Sequence, residues 1–294
     1  PDTAVPCAVE LIEKHKCEAI IGNLLSNSRI AVNYEVATPR KTPYLNFSFY
    51  EGSISGRYFF NFAALPNQQI DKMVPYMARR FGPKFYFAGS NYEWPRGSID
   101  AAKESLLQLD GEIVGEEYFD FGTSDYQPLL ERVRRSGADV FVPYFAGQDQ
   151  INLLTQLTDL GLKEKVKVVM GHYDEAMVQS LSPHVREGFY SSNTYFMSIP
   201  TAKNHQYIKQ LAELPDVTGV WPNGNGVLTN FGEGTYNCVM AYATAVRLAG
   251  TSESEAVVEM LKRVSVEGLQ GTVTMDPMSG RDFIPQTPTS CRFQ

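Results

Sequence analysis

Hydroxyl, aromatic and carboxylate side chains gather just after five predicted strands of this 294-residue chain. The strand-end segments are residues 22–28, 46–52, 90–96, 143–145 and 171–175. In an open parallel sheet, ligands bind beyond the carboxyl ends of the strands, so these segments are placed to hold a small molecule. Ser26 and Asp174 could instead be ordinary helix caps, but five strand ends of the same character favour a binding site.

Sequence motifs of catalysis, nucleotide binding and metal binding are missing. The chain has no GxxxxGK[ST], no GxGxxG after a strand and no GxSxG. Its four histidines show no HxxxH or HExxH spacing, and its four cysteines form no CxxC. The sequence therefore predicts no enzyme, no metal site and no cofactor. Cys7 and Cys17 are close enough in sequence to pair, or they could be two buried free thiols.

The composition is that of an acidic globular protein. Hydrophobic residues make up 43% and aromatic residues 12% of the chain, which is enough to build a packed core. The net charge is −7, so the surface lacks the basic character that nucleic acid or anionic lipid requires. No run approaches the roughly 18 apolar residues of a membrane span. We therefore expect no nucleic-acid partner and no membrane insertion of this chain.

Short apolar runs alternate with helix-length segments through most of the chain. The predicted strands are residues 19–22, 44–47, 58–62, 85–89, 112–119, 139–145, 167–170, 188–192 and 271–275. The predicted helices are residues 4–15, 67–81, 98–109, 125–136, 148–160 and 175–181, with three more between 200 and 264. Several strands are nearly continuous in Val, Ile, Phe and Tyr, which is typical of strands buried on both faces. The alternation predicts an α/β fold with parallel sheets.

An ordered series of short segments resembles the type I periplasmic-binding-protein family. The matching segments are residues 17–52, with Ile21-Gly22 and Tyr50-Glu51-Gly52, then 66–69, 89–96, 195–201 and 270–271. Together they cover nearly the whole chain. Within the family, the likeness is strongest to the branch that binds urea, short amides and related nitrogen compounds, and the branched-chain amino-acid binders share the same plan more distantly.

The resemblance implies a Venus flytrap of two lobes, each a parallel sheet flanked by helices, that closes over a ligand. Lobe 1 would hold residues 1–64 and 200–265, lobe 2 would hold residues 65–199, and residues 266–294 would form a crossover strand and a tail. Family members begin with a strand, a helix and a second strand before the point where this chain starts. We therefore expect the first strand-helix-strand of lobe 1 to be absent from the chain.

The resemblance also implies a set of ligand-contacting residues. These are Ser26, Asn46, Ser48, Trp94, Tyr144, Tyr173, Asp174 and Glu175, and Tyr92 is added as an aromatic candidate close to Trp94. The hydroxyls of Ser26 and Ser48 would hold a carboxylate or carbonyl oxygen, and Asp174 or Glu175 would neutralise an ammonium group. Trp94 would cover an apolar or cationic part of the ligand.

These features predict an extracytoplasmic solute-binding protein, in the periplasm or its equivalent, that works with an ABC permease. The expected ligand is a small polar or zwitterionic nitrogen compound, such as an amino acid, an amide or a urea-like molecule. Amide and urea binders commonly have an aromatic residue where this chain has Leu24 and a tyrosine where it has Asn46, and both differences count against urea or a small amide. Trp94 and the nearby aromatic candidates Phe47, Phe49, Tyr92 and Phe145 make the expected pocket more apolar than urea needs. The alternative is the ligand-sensing domain of a receptor, or a cytoplasmic amide-responsive regulator.

Overall fold

A computed structural model describes residues 1–214 and 226–276, together with the backbone of residues 281–283 and 289–292. The strands are β1 (Ile20–Ile21), β2 (Tyr44–Asn46), β3 (Phe59–Asn61), β4 (Lys84–Ser90), β5 (Glu112–Phe119), β6 (Val140–Tyr144), β7 (Lys167–Met170), β8 (Tyr190–Asn193), β9 (Ser265–Glu267), β10 (Thr272–Asp276), β11 (Arg281–Phe283) and β12 (Thr289–Arg292). The helices are α1 (Ala4–Glu13), α2 (Ser26–Ala31), α3 (Pro66–Phe81), α4 (Glu93–Leu107), α5 (Gln127–Ser136), α6 (Gln148–Asp159), α7 (Glu175–Val178), α8 (Pro183–Arg186), α9 (Ala202–Glu213), α10 (Asn230–Ala249) and α11 (Ser254–Leu261). The rest of the predicted tail lies outside the described residues.

Two six-stranded sheets organise these elements. The first sheet has the order β1-β2-β3-β11-β10-β9, and the second has the order β12-β8-β7-β6-β4-β5. Strands β1 to β3 run parallel, as do β4 to β8, whereas β9, β10 and β12 pair antiparallel with their neighbours. Each sheet therefore combines an early or central stretch of the chain with strands that return from its carboxyl-terminal part.

The central strands of the second sheet are buried on both faces, as their continuous apolar sequence predicts. Phe85 and Phe87 of β4 pack into a core shared with α3 and α4. Tyr86 and Ala88 point the other way, into the core shared with α5 and α6. Because side chains alternate along a strand, a buried parallel strand must be apolar at every position to fill both cores.

Several helix boundaries differ from the prediction. Helix α4 begins at Glu93, five residues before the predicted start, because Pro95 is tolerated in the first turn of a helix. Helix α7 ends at Val178 and not at residue 181. Helix α2 and the π-helical segment Val32–Ala37 that continues it were not predicted. The early start of α4 matters most, because it places Trp94 in the first turn of the helix.

The structure decides between the alternatives for Cys7 and Cys17. Cys7 is exposed, Cys17 is half-buried and both thiols are free, so these residues form neither a disulfide nor a pair of buried thiols. Over the described residues, no helix is long and apolar enough to cross a membrane.

A buried carboxyl lies in the first turn of α10. Glu233 is 2% exposed, and its Oε1 accepts a hydrogen bond of 2.6 Å from Asn237 Nδ2. Burial raises the pKa of Glu233 from its usual 4.5 to about 8. The folded protein therefore holds a proton on Glu233 at pH values where the unfolded chain has released it.

This carboxyl should make the folded state less stable as the pH rises. Between about pH 4.5 and pH 8, the free energy of unfolding should fall by up to about 1.4 kcal/mol per pH unit from this group alone. A Glu233→Gln variant, which cannot ionise, should lose that slope and be the more stable protein at pH 8. Urea unfolding of both proteins at pH 5, 6.5 and 8 measures the difference. Equal slopes for the two proteins would contradict the expectation.

Candidate ligand-binding site

A cavity of about 380 Å³ lies between the carboxyl ends of strands from both sheets. Its lining comes from the segments after β1 and β2 on one side, from those after β4, β6 and β7 on the other, and from the start of α10. Among the described residues, none of those lining the cavity has an acidic or a lysine or arginine side chain. The volume suits a small organic molecule.

Aromatic rings form much of the cavity wall. Phe49, which follows β2, stacks on Trp94 of α4 with ring centroids 5.7 Å apart and planes 19° apart. Phe231 of α10 meets Phe49 edge-on at 5.0 Å. These three residues come from three separate parts of the chain and all line the cavity. They form an apolar surface that fits a flat ring.

His172 is a polar group set among these rings. It is the second residue after β7, is 6% exposed and has its ring centroid 5.0 Å from that of Trp94. Burial lowers the pKa of His172 to about 3, so its imidazole is neutral at physiological pH. His172 is not among the predicted site residues, because its spacing from the other histidines fits no metal-binding motif. The available signal was its place in the strand-end segment 171–175.

The amino ends of four helices face the cavity. The residues that precede their first turns, Leu25 of α2, Tyr92 of α4, Gly147 of α6 and Thr229 of α10, all line it. This placement follows from the topology, since helices α2, α4 and α6 each begin just after the carboxyl end of a strand. Helix amino ends carry partial positive charge and free N–H groups. The cavity therefore favours an anionic group although its lining residues supply no cationic side chain.

Four of the predicted site residues lie together at the cavity: Ser48, Tyr92, Trp94 and Tyr173. Three others lie behind its wall. Ser26 and Asn46 are buried in a hydrogen-bond network, and Tyr144 is fully buried against the rings of Trp94 and His172 at 5.3 and 6.1 Å. That any of these seven residues contacts a ligand stays a prediction. Ser26, Asn46 and Tyr144 can support the residues that line the cavity, but they do not line it themselves.

The two predicted carboxylates, Asp174 and Glu175, are already occupied by hydrogen bonds. Asp174 caps α7, and its Oδ2 accepts bonds of 2.7 and 2.6 Å from the backbone N–H and side chain of Asn230. Glu175 accepts bonds of 3.0 Å from the backbone N–H groups of Met197 and Ser198. Neither residue lines the cavity. These carboxylates tie α7 to α10 and to the segment after β8, so they are poorly placed to neutralise a ligand ammonium group.

Arg29 fixes the position of Ser48, one of the residues that line the cavity. Its side chain is fully buried, with Nη1 2.8 Å from Ser48 Oγ and Nη2 3.0 Å from Glu51 Oε2. The Ser48 hydroxyl lies 3.0 Å from the backbone oxygens of Asn23 and Leu24, to which it donates. The sequence analysis did not assign Arg29 a role. An arginine three residues after Ser26, on the same face of a helix, was the signal that could have done so.

Comparisons with known proteins agree on one fold. A family model described as periplasmic binding protein matches residues 1–286. One similar structure is a solute-binding protein of an ABC transporter from Rhodopseudomonas palustris in complex with p-hydroxybenzoic acid. It has a TM-score of 0.86 and 19% identity, over 96% of this chain and 76% of that one.

Two other similar structures carry descriptions that name amino acids. An amino-acid ABC transporter substrate-binding protein from Pseudomonas fluorescens has a TM-score of 0.81 and 19% identity, over 95% of this chain and 74% of that one. A branched-chain amino-acid ABC transporter ligand-binding protein from Burkholderia xenovorans has a TM-score of 0.77 and 20% identity, over 96% of this chain and 74% of that one. At these identities the likeness shows the fold alone.

Proposed function

The chain belongs to the periplasmic binding protein family, and on that premise we propose that it is a solute-binding protein for a small aromatic carboxylic acid. The family match confirms the family predicted from the sequence, and the similar solved structures confirm the predicted two-lobed α/β fold. The observation that carries the ligand proposal is the cavity itself, which joins aromatic walls to four helix amino ends with no charged side chain in its described lining.

Each part of such a ligand has a matching surface. The ring of an aromatic acid would lie against Phe49, Trp94 and Phe231, where it loses contact with water and gains contact area. Its carboxylate would accept hydrogen bonds from backbone N–H groups at a helix amino end, as anions commonly do. Helices α4 and α6 both offer such an end, because no side chain caps the first turn of either helix. One similar solved structure, that from Rhodopseudomonas palustris, holds an aromatic acid.

An amino acid fits this cavity less well. Its ammonium group would be buried and would need a carboxylate partner, since an unpaired buried charge is costly. Asp174 and Glu175, the predicted partners, are both hydrogen-bonded elsewhere. The expected amino-acid, amide or urea-like ligand, and the assignment to the urea and amide branch, stay predictions that the experiment below separates from the aromatic acid.

The partner and the location of the protein are part of the same proposal. The similar proteins are described as parts of ABC transporters, which supports an ABC permease as the partner and an extracytoplasmic location. They are also described as binding proteins, which supports capture of a solute and not its conversion. The two sheets with their helices would be the two lobes, and closure of the lobes over the solute would exclude water.

Calorimetric titration tests the ligand class. Protein that has been unfolded, dialysed and refolded, to remove any co-purified molecule, is titrated with benzoate, 4-hydroxybenzoate, leucine, acetamide and urea. We expect the aromatic acids to bind, and a hundredfold excess over the dissociation constant to stabilise the fold by about 2.7 kcal/mol in urea unfolding. Binding of leucine, acetamide or urea without binding of either aromatic acid would contradict the proposal.

A further inference from the structure

His172 lines the cavity, and both nitrogens of its ring are buried. Within the described part of the chain, neither its Nδ1 nor its Nε2 has a hydrogen-bond partner, although the side chain is 6% exposed. Burial lowers the pKa of His172, and the backbone of Phe145 acts in the opposite direction. The Phe145 backbone is nevertheless not in hydrogen-bonding geometry with either ring nitrogen. A buried polar group without a partner costs free energy, so a molecule that supplies the partner is favoured there.

The surroundings of His172 limit what that partner can be. Its ring lies among four aromatic rings, those of Phe49, Trp94, Tyr144 and Tyr173, at centroid distances of 6.1, 5.0, 6.1 and 5.1 Å. A carboxylate placed here would be removed from water without a countercharge, which is unfavourable. A neutral imidazole carries one donor and one acceptor nitrogen, and a hydroxyl group can pair with either. A neutral hydroxyl therefore fits beside the His172 ring better than a charged group.

We propose that His172 is a specificity-determining residue that hydrogen-bonds a hydroxyl on the ring of the ligand, so that the site selects hydroxylated aromatic acids over unsubstituted ones. This inference rests on the proposed function and narrows it. The carboxylate of the same ligand would lie at the helix amino ends, where partial positive charge is available. A site built to bond a hydroxyl discriminates strongly against an analogue that lacks it, because the polar group of the protein is then left unpaired.

The experiment compares matched ligands on the refolded protein by calorimetric titration. The probes are the 2-, 3- and 4-hydroxybenzoates, each set against the fluorobenzoate of the same isomer, with benzoate as the reference. The wild-type protein should bind one hydroxybenzoate at least about tenfold more tightly than its fluoro counterpart. The ratio of the two dissociation constants, hydroxybenzoate to fluorobenzoate, should not change between pH 6 and pH 8, because the imidazole stays neutral in that range.

Variants assign the preference to His172. His172→Phe keeps a ring of similar size and should bring the hydroxybenzoate to fluorobenzoate ratio close to one while benzoate still binds. Tyr126→Phe is the matched control, because it removes a buried hydroxyl that has no partner in the described structure and does not line the cavity. This control should keep the wild-type ratio.

The outcomes separate the two proposals. Tight benzoate binding by wild type with no preference for any hydroxybenzoate overturns the role of His172 and leaves the aromatic-acid function standing. Failure of every aromatic acid to bind overturns both. If His172→Phe does not fold, the wild-type ratios still decide whether a hydroxyl is selected. Proton uptake on binding, seen as a dependence of the binding enthalpy on the buffer, would indicate a charged imidazole beside a carboxylate and would overturn the hydroxyl assignment.

Discussion

Trp94→Ala is expected to lower the free energy of unfolding by about 3–5 kcal/mol and to weaken ligand binding by about 2 kcal/mol or more. The side chain is 6% exposed, so its removal leaves a hole in the packed core. The same indole lines the cavity and contacts the rings of Phe49 and His172 at centroid distances of 5.7 and 5.0 Å. Trp94 therefore acts both as a core residue and as a wall of the site.

Urea unfolding without ligand and calorimetric titration with 4-hydroxybenzoate measure the two effects of Trp94→Ala separately. Trp94→Phe is the matched variant, because it keeps an aromatic surface and should lose less than half as much in each measurement. A loss of stability without any loss of affinity would mean that the ligand does not touch this wall. A loss of affinity alone would mean that the surrounding rings repack around the smaller side chain.

Arg29→Ala should be as damaging to the fold, at about 3–5 kcal/mol, although it lies outside the cavity lining. The Arg29 and Glu51 side chains are 0% and 4% exposed, and their ion pair has an Nη2 to Oε2 distance of 3.0 Å. Removing the guanidinium leaves the Glu51 carboxylate buried with two hydroxyl donors in the described part of the chain, those of Ser26 and Ser53. The variant also removes the hydrogen bond from Arg29 to Ser48. Ser48 should then be less firmly held in the cavity lining, and ligand affinity should fall.

The double variant Arg29→Met with Glu51→Leu distinguishes the ion pair from general packing. Replacing both partners of a buried pair with apolar residues of similar size is often close to neutral. Urea unfolding should therefore show the double variant to be more stable than Arg29→Ala, with ligand affinity still reduced because Ser48 has lost its donor. A double variant no more stable than Arg29→Ala would show that the guanidinium matters through its shape and not through its charge.

The sequence by itself determined the class of fold and most of the regular elements. Strands β5 and β7 have the predicted bounds, and β4 and β6 differ from theirs by only one residue at each end. This success has a local cause, because a parallel strand buried on both faces needs a continuous apolar run, and such a run is visible in the sequence. The sequence also placed polar side chains at strand ends, which is where the cavity lies.

Only the tertiary structure decided which of those strand-end side chains face the cavity. In the sequence, Asp174 could be a ligand contact or a helix cap. In the structure it caps α7 and is also bound by Asn230, 56 residues further along the chain. Ser48 is held by Arg29, and His172 is enclosed by the neighbouring ring of Tyr173 and by rings from three other segments. The hydrogen-bond partner of a buried polar side chain is set by which segments the fold brings together. Local periodicity carries no information about that pairing, so the positions of the strand ends could be predicted while the chemistry of the site could not.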